Sequence, residues 1–143
     1  MIRQDIITAF KDSFKKIATA NGYLTDAGLK VTEWNSLNVA EDDPDFINIE
    51  DPNCVKVKPA EWNDNTDEDS EYKKLTLNIS TVTNGKECKE QIRKIRSDIL
   101  RAIGETQSAL IDKIEYEDDF TDFNFELKRQ AGTIITIYVY YYC

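Results

Sequence analysis

Residues 72–82 read YKKLTLNISTV and residues 86–103 read KECKEQIRKIRSDILRAI, and the change of period between them indicates the architecture. In the first stretch apolar and polar residues alternate, which is typical of a strand with one buried face. In the second stretch apolar residues recur every three or four positions, which predicts an amphipathic helix that Gly104 ends. Asn84 and Gly85 are expected to form the turn between them. The chain therefore predicts a half-buried strand followed directly by a helix.

The N-terminal residues 2–21 predict a second amphipathic helix, because their apolar side chains also recur at helical spacing. Gly22 follows and is expected to adopt the left-handed conformation that closes a helix. Gly28 is expected in a turn, where it is free to take a positive φ. Short strands are predicted at 29–34 and 46–49, because apolar and polar residues alternate there.

The last part of the chain predicts strands. Residues 110–116 and 123–127 are two of them, and residues 128–132 indicate a hairpin turn with Gly132 in the left-handed conformation. Residues 133–142 form a long strand with apolar or aromatic residues on both faces, which at the edge of a sheet would be an aggregation hazard. The order of elements predicts an α+β fold, with an antiparallel-rich β-sheet and two amphipathic helices packed on one face.

Almost all of the excess negative charge is concentrated in residues 41–71. This segment has twelve acidic residues and two lysines, a net charge of −10, against −9 for the whole chain. We expect Asp51 and Pro52 to end the preceding strand, and an acidic solvated loop over about residues 50–71 of a single domain, residues 1–143. A pI near 4.6 also argues against tight nucleic-acid binding, which requires lysine and arginine to neutralise phosphates.

The composition excludes several classes of site. The chain has no histidine, which rules out Ser-His-Asp and Cys-His catalysis and the HExxH zinc motif. Its three cysteines, Cys54, Cys88 and Cys143, form no CxxC pair, so we expect reduced thiols. No apolar run approaches the roughly 20 residues that span a bilayer, and the N-terminus lacks a signal-peptide pattern. We therefore expect a soluble protein made in a cytoplasm.

One short motif suggests enzymatic chemistry. Glu126-Leu127-Lys128 has the Glu-x-Lys spacing of metal-dependent nucleases, which hold Mg²⁺ between the glutamate and an upstream aspartate. The aspartates available for that role are Asp112, Asp118, Asp119 and Asp122. The same motif fits the solvent face of a strand whose other face carries Phe125 and Leu127. A small nuclease using Glu126 and Lys128 is therefore the alternative from another functional class.

Two sets of residues are candidates for an interface. The first set consists of alternating tyrosines of the last strand: Tyr138, Tyr140 and Tyr142. The second set consists of acidic residues of the loop: Asp64, Asp67, Glu68 and Asp69. The tyrosines could stack single-stranded nucleic acid or lie in a subunit interface, and the acidity of the chain favours the interface. The acidic set could equally bind a basic partner and make the protein a soluble adaptor.

Several stretches, in this order, carry a resemblance to a known family. They are ANGYLTDAG at 20–28 after a helix, DPDFINI at 43–49, LTLNI at 75–79, IRSDILRAIG at 95–104, and a hairpin ending in an apolar–tyrosine strand. In order and length the chain resembles the tail terminator (tail completion) proteins of long-tailed bacteriophages. The acidic segment at 50–71 departs from the pattern of that family.

The resemblance implies a structural virion protein without catalysis or cofactor. Such proteins form a ring, usually a hexamer, at the head-proximal end of the tail tube, where they stop polymerisation and join the tail to the neck. The implied partners are other copies of the chain, the tail tube protein and a neck or head–tail connector protein, with no membrane. DNA would pass through the ring without specific binding. The implied location is the virion, and the host cytoplasm during assembly. A neck protein or a tail tube subunit of similar fold is the alternative within this class.

Overall fold

The computed structural model describes residues 2–34, 46–58, 71–124 and 130–143. Within these ranges the protein has two α-helices and five β-strands. In chain order they are α1 (Ile2–Lys15), β1 (Val31–Glu33), β2 (Ile47–Lys56), β3 (Tyr72–Asn84), α2 (Cys88–Glu105), β4 (Lys113–Asn124) and β5 (Gln130–Tyr142). Two short 3₁₀ turns, Thr19–Asn21 and Ala27–Leu29, connect α1 to β1.

The strands form one sheet in the order β1-β2-β3-β5-β4. β1 and β2 are parallel, and the other three neighbouring pairs are antiparallel. Side chains of both helices belong to the same buried cluster as one face of the sheet. The predicted α+β fold, with an antiparallel-rich sheet and two helices on one face, is confirmed.

The core lies between the helices and one face of the sheet. The fully buried side chains of the helix layer include Phe10, Phe14, Ile95 and Ile99. Those of the sheet include Leu75, Leu77, Ile79, Ile135 and Val139. Burying a side chain of this kind contributes about 1.5–3 kcal/mol, so this layer supplies most of the driving force for folding. The face of the sheet that points away from the helices is called the open face below.

Helix α1 is shorter than the sequence predicts, ending at Lys15 rather than Asn21. The cause is a competing side chain: the Asp26 carboxylate accepts hydrogen bonds from the backbone N–H of Thr19, at 2.8 Å, and from its hydroxyl. Residues 19–21 therefore form a separate 3₁₀ turn instead of a further α-helical turn. Gly22 closes it with φ 85°, the left-handed conformation that the sequence predicts.

Gly28 lies in a turn as predicted, but the positive φ expected there and the helix stop expected at Gly104 are wrong. Gly28 has no positive φ, because it lies in the second 3₁₀ turn. It is required for another reason: a Cβ there would lie 2.5 Å from the carbonyl oxygen of Phe14 and 2.7 Å from that of Ile17. Gly104 does not stop α2, which continues to Glu105 and is followed by Thr106 as its C-cap.

The strand before the predicted acidic loop is longer than expected. Asp51 and Pro52 do not end β2, which runs on to Lys56. They lie in a β-bulge, because the pairing of β2 with β3 shifts between Glu50 and Asn53. A bulge leaves a residue outside the hydrogen-bonded ladder, so it accommodates a proline that has no N–H to donate. Residues 50–56 of the predicted loop are therefore strand, and residues 59–70 lie outside the described residues.

The C-terminal hairpin also differs from its prediction. β4 begins at Lys113, not at residue 110, and extends to Asn124. Gly132 is not in a turn: it lies within β5, paired with Val82 of β3 and with β4 on the other side. β5 is consequently an inner strand with both edges paired, and the aggregation hazard of an unpaired aromatic edge does not apply to it. Its predicted two faces are confirmed, with Ile135 and Ile137 buried against the helices.

Candidate interaction surface

Four tyrosines form a continuous patch at one end of the open face. The tyrosine surface consists of Tyr72 of β3 and Tyr138, Tyr140 and Tyr142 of β5. Tyr72 lies directly opposite Tyr142 in the β3–β5 pair, and Tyr138 and Tyr140 follow on the same face of β5. The ring centroid of Tyr72 lies 4.5 Å from that of Tyr142 and 5.8 Å from that of Tyr140. Tyr72 is buried beneath its neighbours, Tyr138 and Tyr140 are half-buried, and Tyr142 is 44% exposed. The alternation of β5 thus brings the three predicted tyrosines onto one surface.

Two lysines lie over these rings. The Lys74 ammonium is 3.8 Å from the ring centroid of Tyr138, and the Lys113 ammonium is 4.5 Å from that of Tyr140. Each contact is a cation–π interaction worth about 0.5–1 kcal/mol at an exposed site. The lysines occupy ring faces on which a nucleic-acid base would have to stack.

Acidic residues of β4 flank the tyrosine surface. Burial raises the pKa of Tyr138 and Tyr140, and the carboxylates of Glu115 and Glu117 raise the pKa of both further because they oppose a phenolate charge. Both hydroxyls therefore stay protonated and able to donate hydrogen bonds. The surface is a set of neutral phenols with acids on one side.

Apolar residues extend the open face beyond the tyrosines. Phe120 of β4 is 64% exposed, and its partner across the strand pair, Ile134 of β5, is 46% exposed. Val55 of β2, paired with Lys74 of β3, is also exposed. Exposed apolar residues that lie together mark interaction sites more often than isolated ones do.

The four aspartates nominated as alternatives for a nuclease lie in different environments. Asp119 lies on the helix side of β4, where Arg96 donates to it from Nε at 3.0 Å, and this ion pair holds the pKa of Asp119 below its ordinary value. Asp118 and Asp122 lie on the opposite side of the strand. Asp112 accepts a hydrogen bond from the hydroxyl of Tyr72. The described residues contain no group of three or more Cys, Asp or Glu side chains that could hold a metal ion.

The remaining predicted site residues belong to two segments of the chain, 59–70 and 125–129. Glu126 and Lys128 of the nuclease motif lie outside the described residues. So do the acidic interface candidates Asp64, Asp67, Glu68 and Asp69. Their roles stay predictions from the sequence.

One buried carboxylate is missing from the sequence interpretation. Asp98 of α2 is 2% exposed and accepts hydrogen bonds from the backbone N–H groups of Leu24 and Thr25, at 3.0 and 2.8 Å, and from the Thr25 hydroxyl at 2.7 Å. These hydrogen bonds hold the segment that follows α1 against α2. The signal was available, because Asp98 lies between Ile95 and Ile99 in the apolar stripe of the helix.

Comparisons with known proteins leave this surface to be interpreted from its own geometry. No protein-family model matches the chain, and no curated protein matches its sequence. Among the described residues, neither helix has the length and apolar character needed to cross a membrane.

Proposed function

We propose that this protein is a structural component of a bacteriophage tail, forming a ring at the head-proximal end of the tail tube. In that position it ends tube polymerisation and joins the tail to the neck. The observation that carries the proposal is the open face of the sheet, on which tyrosines and exposed apolar residues lie together while the two described helices pack on the opposite face. The sequence resemblance supplies the biological setting.

The composition of the open face suits a protein interface. Tyrosine is favoured there because its ring is apolar and its hydroxyl still forms hydrogen bonds. β5 has both edges paired, so it does not add to a neighbouring sheet, and the contact uses the outward side chains of the tyrosine surface instead. The protonated hydroxyls of Tyr138 and Tyr140 hydrogen-bond the neighbouring carboxylates of Glu117 and Glu115, and their oxygens can still accept from a partner's N–H or O–H groups.

Exposed apolar residues at both outer edges of the sheet support the proposal of a ring. Leu29 and Trp34, on either side of β1, are 84% and 56% exposed, and Phe120 on β4 is 64% exposed. β1 and β4 are the two outer strands of the sheet. Two different apolar patches at opposite edges of the sheet allow head-to-tail contacts between copies. Such contacts close into a ring when the rotation from one copy to the next permits it.

The charge suits a passage for DNA. Each copy carries a net charge of −9, and a ring multiplies that charge around its axis. An acidic lumen repels phosphates, so a duplex slides through it without adhering. A neck protein and a tail tube subunit share these requirements, and the behaviour towards tube ends separates them from a terminator.

The test measures assembly with and without the tube. Purified protein is examined by size-exclusion chromatography with light scattering, alone and with tail tube protein, and by electron microscopy of the tube ends. We expect rings, alone or only at tube ends, and shorter tubes as the protein is added. A protein that stays monomeric and leaves tube length unchanged would reject the proposal. Addition along the tube body would instead indicate a tube subunit.

A pair of matched variants locates the interface. Tyr142→Ser combined with Phe120→Ser removes exposed apolar groups from the open face, and we expect it to abolish ring formation. Leu110→Ser is the control, because Leu110 is 38% exposed but precedes β4 and lies outside the sheet. Equal loss of assembly in both variants would contradict the assignment to the open face.

A further inference from the structure

The outer strand β4 offers an unusually long docking edge. It is twelve residues long, about 40 Å at 3.4 Å per residue, and its inner edge pairs with β5 from Lys113 to Asn124, with one register shift between Tyr116 and Asp118. In the part of the chain that the structure describes, no strand pairs with its outer edge. Such an edge presents a row of backbone N–H and C=O groups that can pair with an added strand.

The charges along β4 oppose pairing with a second copy of itself. Four of its acidic side chains are exposed: Glu115, Glu117, Asp118 and Asp122. The fifth, Asp119, is paired with Arg96. In an antiparallel pair of two β4 strands these acids would face one another, which is destabilising. The other outer strand, β1, has only three residues and offers little to pair with.

An apolar groove runs beside this edge on the helix side. It lies between β4 and the C-terminal half of α2 and has a volume of about 330 Å³. Its apolar lining is Leu100, Ile103, Ile114, Tyr116 and Ile137. Gly104 of α2 leaves the groove open, because no atom lies within 4 Å of the position that a Cβ would take there. Tyr116 is 52% exposed, so the groove is accessible from the edge of the sheet.

We propose that the outer edge of β4 binds an extended basic segment of another protein, which joins the sheet as a sixth strand. Backbone hydrogen bonds supply much of the affinity in this mode of recognition, and alternate side chains supply the specificity. Lysine or arginine at alternate positions lies beside Glu115, Asp118 and Asp122 on the open face. Aliphatic residues at the intervening positions enter the groove next to Ile114 and Tyr116. The inference rests on β4 and its groove alone and holds whether or not the protein forms a ring.

The first experiment tests the peptide requirement. The probe is a fluorescein-labelled peptide of alternating lysine and valine, about ten residues long, titrated with the full chain by fluorescence anisotropy. We expect binding that weakens as salt is added. A glutamate–valine peptide of the same length, and a lysine–valine peptide with every backbone amide N-methylated, should bind about tenfold more weakly or worse. Equal binding of the N-methylated peptide would show that no strand is added and would overturn the proposal.

The second experiment tests the surface. Asp118→Lys combined with Asp122→Lys should weaken binding about tenfold or more, because two attractive charges become repulsive. The control, Asp5→Lys combined with Asp12→Lys, makes the same change in net charge at exposed residues of α1. If both double variants weaken binding equally, attraction is nonspecific and the proposal fails.

The third experiment tests the groove and the competing occupant. Gly104→Phe places a ring in open space beside the groove, so it should block the aliphatic residues of the peptide while the thermal unfolding transition is retained. Unchanged peptide affinity in this variant would contradict the proposal. Light scattering without peptide checks for self-association. A dimer that is lost specifically in the Asp118→Lys, Asp122→Lys variant would identify a second copy as the occupant and overturn the proposal.

Discussion

Neighbouring residues of β5 belong to two different environments. Ile135 and Ile137, on the face covered by the helices, are at most 1% exposed, whereas Ile134 is 46% exposed and Tyr142 is 44% exposed on the open face. The covered face is closed: its side chains meet two helices of the same chain. The open face carries residues that are costly to leave in water but has no described helix over it. The difference indicates that one face holds the fold together, and it is the other face to which we propose to assign assembly.

The largest effect is expected when isoleucine is replaced by alanine on the covered face, and the same replacement on the open face is its comparison. Ile137→Ala removes a buried side chain and leaves a cavity, so we expect a loss of about 2–5 kcal/mol in the free energy of unfolding. Ile134→Ala, three residues earlier in the same strand, should cost less than about 1 kcal/mol, because its side chain is already partly in water. Urea unfolding measures both. Similar losses in the free energy of unfolding would mean that the open face is covered within the single chain, which would contradict the difference between the two faces.

A second variant tests the buried hydrogen bonds between α2 and the segment that follows α1. Asp98→Ala leaves two backbone N–H groups and the Thr25 hydroxyl without their buried acceptor, and should cost about 3 kcal/mol. Asp12→Ala is the control, since Asp12 is exposed on α1. Thermal or urea unfolding gives the difference. Equal stability of the two variants would show that water replaces Asp98 as acceptor.

Substitutions at two glycines compare a tightly packed position with an open one. Gly28→Ala pushes a methyl group against carbonyl oxygens of α1 and should destabilise the protein by about 2 kcal/mol. Gly104→Ala places the same methyl group in open space within α2 and should stabilise it by about 0.5–1 kcal/mol, because alanine is the better helix former. The two free energies of unfolding should therefore change in opposite directions. A loss at Gly104 would indicate that the groove beside it is occupied in the native state.

The sequence predicts the covered face better than anything else in the molecule. The period of two in β3 and the helical period in α2 locate both elements and imply the buried residues, because these patterns follow from burial on one side. Boundaries are wrong at Pro52, Gly104 and Gly132, where tertiary structure overrides local signals. Pro52 lies in a bulge, Gly104 continues a helix stabilised by its packed face, and Gly132 is held between two strands.

The candidate surface is only partly accessible to sequence reasoning. Alternation along β5 places Tyr138, Tyr140 and Tyr142 together without any knowledge of the fold. Tyr72 joins them only through the pairing of β3 with β5, which connects residues far apart in the chain. The acidic outer edge of β4 likewise depends on strand order, which charge and period do not specify. Long-range pairing is therefore the information that single-sequence patterns lack.

The smallest expected effect lies where the covered face meets the edge of the sheet, at the Arg96–Asp119 ion pair. The hydrogen bond from Arg96 lowers the pKa of Asp119 below the ordinary value of 3.8. A lowered folded-state pKa means that the pair stabilises the protein fully above about pH 4 and that the contribution disappears as pH falls through the folded pKa. Asp119→Asn should therefore cost about 0.2–1 kcal/mol at pH 7 and progressively less below pH 4. Urea unfolding from pH 7 to pH 2 measures the difference between the two proteins. Because the variant lacks the ionisable group, a difference that stays constant over this range would show that Asp119 acts through packing rather than charge.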